Sequence, residues 1–249
     1  MRNELNPMGV EIVTVSLDMT GGEGSRSYIE AANPQHPSLI DPTHTMDAVF
    51  GVVNIPNVIW IDELGVIVRP PEPGWPEGQP AMPKNLIESI PKTVPAPNAP
   101  PRPANVDPRA NFGVGQDRAT YHEAIRDWAA NGAASPYAMT PEEVVASSQP
   151  RPKSKSEGAA HFALALHLWH LGQRDLAVAH LNECNRLVPD NWTYKRQGWS
   201  LVGSQSVDSE YKMFVQGPLP GEEASWPFDS DFWSDVSNLA PGSYYPKTL

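Results

Sequence analysis

The stretch Gly9-Val10-Glu11-Ile12-Val13-Thr14-Val15-Ser16-Leu17-Asp18 lies near the start of the sequence. Because it is apolar or β-branched on both faces of an extended chain, it predicts a strand covered on both sides in a parallel sheet. Gly21 and Gly22 follow, and residues 25–32 predict a short helix that ends before Pro34. The first element pair is therefore a β-α unit.

A second stretch supports the same architecture: Val53-Asn54-Ile55-Pro56-Asn57-Val58-Ile59-Trp60-Ile61-Asp62-Glu63-Leu64-Gly65. Its first part is dense in β-forming residues, and the glycine before Val66-Ile67-Val68 predicts a tight hairpin between antiparallel strands. Between the two stretches, residues 38–41 predict a short strand and residues 45–50 predict a helix.

Composition restricts the class of protein. A chain of 249 residues with 40% hydrophobic content can bury a core, and its 28 prolines and 18 glycines indicate two modules joined by a turn-rich connection. The formal charge of -11 disfavours nucleic acid as a partner. We expect a cytoplasmic protein with no membrane partner, because no apolar run could span a bilayer and the start lacks a signal-peptide core.

Prolines mark the boundary between the modules. They recur every few positions over residues 70–108, which predicts an extended connector with at most a helical turn or two at 84–89. The predicted organisation is a first domain at 1–92, a proline-rich linker at 93–116 and a helical domain with an aromatic-rich tail at 117–249.

Helical patterns dominate the second module. Tyr121, Ile125 and Trp128 share one face of the helix expected to open it. Thr140-Pro141-Glu142-Glu143 then predicts a capped helix start. Further helices are predicted at 157–171, 175–187 and 192–202. We expect the aromatic residues of the tail to clamp it onto these helices; they are Trp226, Phe228, Trp233, Tyr244 and Tyr245.

The order of elements in the first module resembles the later part of the thioredoxin fold, in the branch of ResA/TlpA-like and alkyl hydroperoxide reductase-like (AhpC/TSA-like) proteins. This resemblance implies thiol-disulfide exchange or peroxide reduction. It also implies that Pro56, preceded by Ile55, follows a cis peptide bond and faces the redox cysteines. These two residues are the expected remnant of an active-site face.

The sequence departs from that family where its chemistry resides. In that family, a strand and a helix with a Trp-x-x-Cys-x-x-Cys type of motif precede the strand that begins here at Val10. In this sequence only nine residues precede Val10. Cys184 is the single cysteine. We therefore predict no catalytic residues and a protein that is redox-inactive as given, either because its start is misassigned or because it is a degenerate member.

The helical hairpin resembles a single tetratricopeptide repeat (TPR). The matching positions are Leu164, Gly172, Ala177, Leu181, Cys184 and Pro189. No second copy is evident, so we expect the helices from Thr140 and Trp192 to cap the unit. The predicted fold class is α/β plus α, a partial thioredoxin-like sheet followed by a TPR-like module. The alternative function is a non-enzymatic adaptor that binds a protein partner through the helical domain.

Several residues allow a chemical and a structural interpretation. Cys184 is either a reactive thiol or, as its helical position favours, a core residue. Asp18, Asp41 and Asp62 end successive strands, where they either face a substrate or, more commonly, cap loops. Asn191 begins a glycosylation sequon, but its position favours a cap on the following helix.

Cofactor sites are not predicted. His167 and His170 are one helical turn apart, and His161 and His180 lie nearby in sequence, but no further ligand at suitable spacing completes a metal site. The Gly21-Gly22-Glu23-Gly24 loop lacks the lysine and spacing of a phosphate-binding loop.

Overall fold

The computed structural model describes residues 1–74, 88–104, 118–148, 152–207 and 212–245. Over these residues the chain is a mixed α/β protein in which helices outnumber strands. None of the helices in the described ranges combines the length and hydrophobicity needed to span a bilayer.

The first sheet is a parallel pair. After a short helix α1 (Arg2–Leu5), strand β1 (Thr14–Ser16) pairs with β2 (Ser38–Ile40), and helix α2 (Glu23–Ala32) connects them. The prediction of a strand covered on both faces was wrong, because no residue of β1 is buried and α2 buries none either. The described residues place no third strand against this pair, so its apolar side chains remain partly exposed.

The second sheet is an antiparallel hairpin, as predicted. Strand β3 (Asn57–Ile61) pairs with β4 (Ile67–Pro73), and Gly65 in the connecting turn has a φ of +79°. Glycine suits this left-handed conformation because it has no Cβ. The helix predicted at 45–50 is present as one π-helical turn, Met46–Phe50. The two strand pairs are separate sheets.

Helix α3 (Arg118–Asn131) packs on the hairpin. The Trp60 ring of β3 stacks on Trp128 with 5.1 Å between ring centroids, and its Nε1 donates to the Tyr121 hydroxyl at 3.1 Å. Leu5 and Val68 complete this small core. The helix expected to open the helical module thus covers the hairpin instead, because its aromatic face meets Trp60.

Helix α4 (Pro141–Ser148) begins with the predicted capping box, in which Thr140 and Glu143 exchange hydrogen bonds of 2.8 and 3.2 Å. It lies against β4 and does not cap the helical hairpin, so that expectation was wrong. The cause is the preceding segment, since the Met139 N–H donates to the Val68 carbonyl at 2.8 Å and anchors the helix start beside the strand.

The main core lies in the C-terminal part. Helices α5 (Lys153–His170) and α6 (Arg174–Leu187) form the predicted hairpin, and α7 (Trp192–Gly203) packs against α6. Helix α8 (Phe232–Ser237) and the tail aromatics cover this group. The aromatic clamp is confirmed, with the Trp192 and Tyr244 ring centroids 4.8 Å apart.

The described part of the predicted linker is docked on the tail. The Ala96 N–H donates to Asp231 at 3.0 Å, and the Arg102 guanidinium contacts the same carboxylate at 2.8 Å. Asp231 is fully buried, so this contact fixes residues 93–102 along α8. The remainder of the linker at 105–116 and most of the helical turn predicted at 84–89 lie outside the described residues.

Candidate functional site

The segment that the sequence singles out is residues 53–56, here called the 53–56 loop, which leads into β3. The bond between Ile55 and Pro56 is cis. Ile55 is 43% exposed and Pro56 is partly buried. The loop therefore presents its apolar side chain at the surface at the start of the hairpin.

Groups from the C-terminal part form hydrogen bonds with the 53–56 loop. The Trp192 N–H at the start of α7 donates to the Val53 carbonyl at 2.7 Å, and the Tyr245 hydroxyl donates to the Ile55 carbonyl at 2.7 Å. The Asn54 amide donates to the Tyr244 carbonyl at 2.8 Å. Because these polar groups are already paired, the loop is held in place by its own chain.

The single thiol is enclosed. Cys184 is 0% exposed and lies on the inner face of α6 in the main core. Burial, together with the negative charge of Asp47, raises the pKa of the Cys184 thiol to about 12. Since the thiolate is the nucleophile, this side chain is inert at neutral pH. The core interpretation of Cys184 is confirmed.

A buried polar cluster joins the two parts of the chain, and sequence reasoning missed it. His44 Nδ1 lies 3.0 Å from an Asp47 carboxylate oxygen, and both side chains are fully buried. The Thr193 hydroxyl, at the start of α7, donates to the other Asp47 oxygen. His44 Nε2 has no hydrogen-bond partner among the described residues, and the ring packs edge-on to Phe162 with 4.9 Å between centroids.

This cluster resembles a catalytic arrangement in composition, but each of its side chains is buried. Its contacts instead connect the π-helical turn with α7. No local pattern could have revealed it, since Asp47 and Thr193 are separated by 146 residues in sequence.

The three aspartates at the strand ends cap loops. Asp18 accepts from Thr20 and Ser25, and Asp41 accepts from the Met46 N–H at 2.8 Å. Asp62 accepts from two N–H groups of the hairpin turn. Burial alone would raise the pKa of the Asp18 and Asp41 carboxyls, but these hydrogen bonds outweigh it and lower both pKa values.

Asn191 caps α7, as the helix interpretation predicted. Its side-chain oxygen accepts from the Tyr194 N–H at 3.0 Å, which satisfies one of the free donors at the helix start. The cap also orients the end of α7 that holds the 53–56 loop.

The structure pairs the histidines differently from the sequence pattern. His161 of α5 and His180 of α6 meet with 2.8 Å between their Nδ1 atoms, whereas His167 and His170 are exposed. In the described ranges, no group of three or more His, Cys, Asp or Glu side chains is arranged to hold a metal ion.

A cavity of about 30 Å³ between α7 and the tail, lined by Val215, Pro218 and Trp226, has room for about one water molecule. Pockets for small molecules usually begin at about 300 Å³. This depression therefore gives no support to a small-molecule substrate.

No family model matches the chain, and searches of curated proteins and of solved structures return no significant match. The function is therefore inferred from the residues and their geometry.

Proposed function

We propose that this chain is a thioredoxin-fold protein of the thiol-disulfide oxidoreductase or peroxide-reductase type that performs no thiol chemistry itself. The observation that carries this proposal is the enclosure of Cys184, the single cysteine, at 0% exposure and with a pKa of about 12. A dithiol enzyme needs an accessible thiolate and a second sulfur. The sequence has no second cysteine, and Cys184 is enclosed.

The fold assignment is supported by the order of the elements. A parallel β-α-β unit is followed by a helical turn, the 53–56 loop and an antiparallel hairpin, which is the order that the sequence resemblance implies. The 53–56 loop would face the redox centre in that family. Here its backbone carbonyls accept hydrogen bonds from Tyr245 of the tail and from the start of α7. We infer that this face has a structural role in the chain.

A disulfide-reduction assay tests the proposal. The full chain, with dithiothreitol as reductant and insulin as substrate, is expected to reduce insulin no faster than buffer, and the same holds for consumption of hydrogen peroxide. The matched variant C184A should behave identically. Turnover by the wild-type chain that disappears in C184A would overturn the proposal.

A second candidate is a protein-interaction adaptor that binds an amphipathic helix of a partner. One observation favours it: Leu164, Leu171 and Leu176 on the α5–α6 hairpin are 42%, 59% and 54% exposed, and α4 does not cover them. In repeat arrays, exposed apolar surface of a helical hairpin is covered by the next helix. Because α4 leaves the three leucines uncovered, this surface is available to a partner.

The adaptor function is tested with the full chain as bait and a variant that carries L164D, L171D and L176D. Val145 is 60% exposed on α4, so V145D serves as the control. We expect a partner protein that binds the wild-type and V145D chains and is lost with the triple variant. A partner bound equally by all three chains, or none, contradicts the adaptor function.

A further inference from the structure

Two histidines face each other across the helical hairpin. His161 belongs to α5 and His180 to α6, and their rings are 5.0 Å apart between centroids with an interplanar angle of 40°. Their Nδ1 atoms are 2.8 Å apart, and both side chains are partly buried. Two neutral imidazoles at this distance share one proton, because one Nδ1 donates and the other accepts.

We propose that His161 and His180 form a two-imidazole binding site for a transition-metal cation of the Zn²⁺ class, which would link α5 to α6. Zinc binds histidine nitrogen at about 2.0–2.1 Å, so two nitrogens on one tetrahedral ion lie about 3.3 Å apart. The observed separation needs to open by only about half an ångström. Each ring must also rotate, because the two nitrogens point at each other here and must point at a common centre on a tetrahedral ion.

When a metal ion binds, the proton shared by the two histidines stays within the pair. When the ion binds, the proton between the two Nδ1 atoms moves to the Nε2 of the ring that donated it, so both Nδ1 lone pairs face the cation. Water completes the coordination, since two imidazoles supply only two ligands. Neutral imidazole is a good ligand for zinc and copper ions.

The charged side chains around the pair form two acidic–basic ion pairs. Glu183 follows His180 by three residues on α6, and Glu157 precedes His161 by four on α5, so each carboxylate is one turn from an imidazole. The pKa of Glu183 is lowered, first by its hydrogen bond from Arg186 and to a smaller extent by His161. Glu157 pairs with Lys153 at 2.8 Å. Because Lys153 and Arg186 pair with these carboxylates, the two imidazole nitrogens carry the proposed site.

The experiment is titration of the full chain with zinc chloride by isothermal calorimetry at pH 7.5. The variants H161Q and H180Q each remove one proposed ligand. The double variant H167Q/H170Q is the control, because those histidines are exposed on the same hairpin, one turn apart. We expect one ion to bind per wild-type or control chain, with affinity weakened at least about tenfold in H161Q and H180Q.

Thermal melting provides a second readout. Zinc should raise the Tm of the wild-type and control chains but not of H161Q or H180Q, because an ion that links two helices binds only the folded state.

Three results would overturn the proposal. They are unchanged affinity in H161Q and H180Q, loss of binding in H167Q/H170Q, and no binding to the wild-type chain at about 1 mM zinc. If a variant fails to fold, nitrogen NMR of the wild-type histidines decides the matter. Zinc must then shift the Nδ1 resonances of His161 and His180, and shifts confined to other histidines contradict the site.

Discussion

The reactivity of Cys184 gives the sharpest test of the core. In native protein at pH 8, the thiol should react with a disulfide reagent such as dithionitrobenzoate far more slowly than an exposed cysteine. The reasons are its complete burial and its raised pKa of about 12. An exposed thiol on the same hairpin is the natural comparison.

The expected magnitude follows from ionisation. At pH 8, a thiol with a pKa of about 12 is ionised in about one molecule in 10,000, against about one in four for a free thiol with a pKa near 8.5. Ionisation alone therefore slows the reaction about 2,000-fold. Burial slows it further, because the reagent reaches the sulfur only when the surrounding helices open.

The assay is the absorbance change of the reagent with wild-type protein and with the variant A163C/C184A, whose single thiol lies at an exposed position of α5. The variant should react at the rate of free cysteine, and wild-type protein should reach that rate only in guanidinium chloride. A native wild-type rate within about tenfold of the variant would refute both the placement of Cys184 and the proposed lack of thiol chemistry.

Three further predictions concern contacts between distant parts of the chain. D231A should lower the free energy of unfolding by about 3 kcal/mol in a denaturant titration. This is the lower end for a broken buried ion pair, because the partner Arg102 keeps some solvent access. The control D229A, at an exposed neighbouring position, should change the free energy of unfolding little. Tyr245→Phe removes a hydrogen bond to the 53–56 loop and should cost about 1 kcal/mol, and an unchanged denaturation midpoint would contradict that contact. The lowered pKa of Asp18 contributes stability above about pH 4, and this contribution is lost as the pH falls below that value. The free energy of unfolding of D18N should therefore decrease less steeply at acid pH than that of the wild-type chain.

Elements decided by neighbouring residues could be predicted from the sequence. The capping box at Thr140, the Asn191 cap and the glycine of the β3–β4 turn all depend on groups within four residues of each other. The helical hairpin could also be predicted, because the spacing of its apolar residues defines its inner face. Cys184 could be assigned to the core because it lies on that face.

The partners of those elements could not be predicted. The aromatic face of α3 is evident in the sequence, but nothing local indicates that it meets Trp60 of β3. Similarly, the pattern of β1 suggested burial on both sides, and the structure leaves it in a two-stranded sheet. Burial depends on what packs against a face, and that neighbour comes from elsewhere in the chain.

The positions of helices, turns and caps follow from local sequence, because propensity and capping act over a few residues. Three contacts depend on tertiary packing: the tail with the 53–56 loop, Thr193 with Asp47, and His161 with His180. Each of these contacts joins separate elements, and their geometry follows from how whole faces pack together. The proposed zinc site is therefore a product of the packing of α5 against α6.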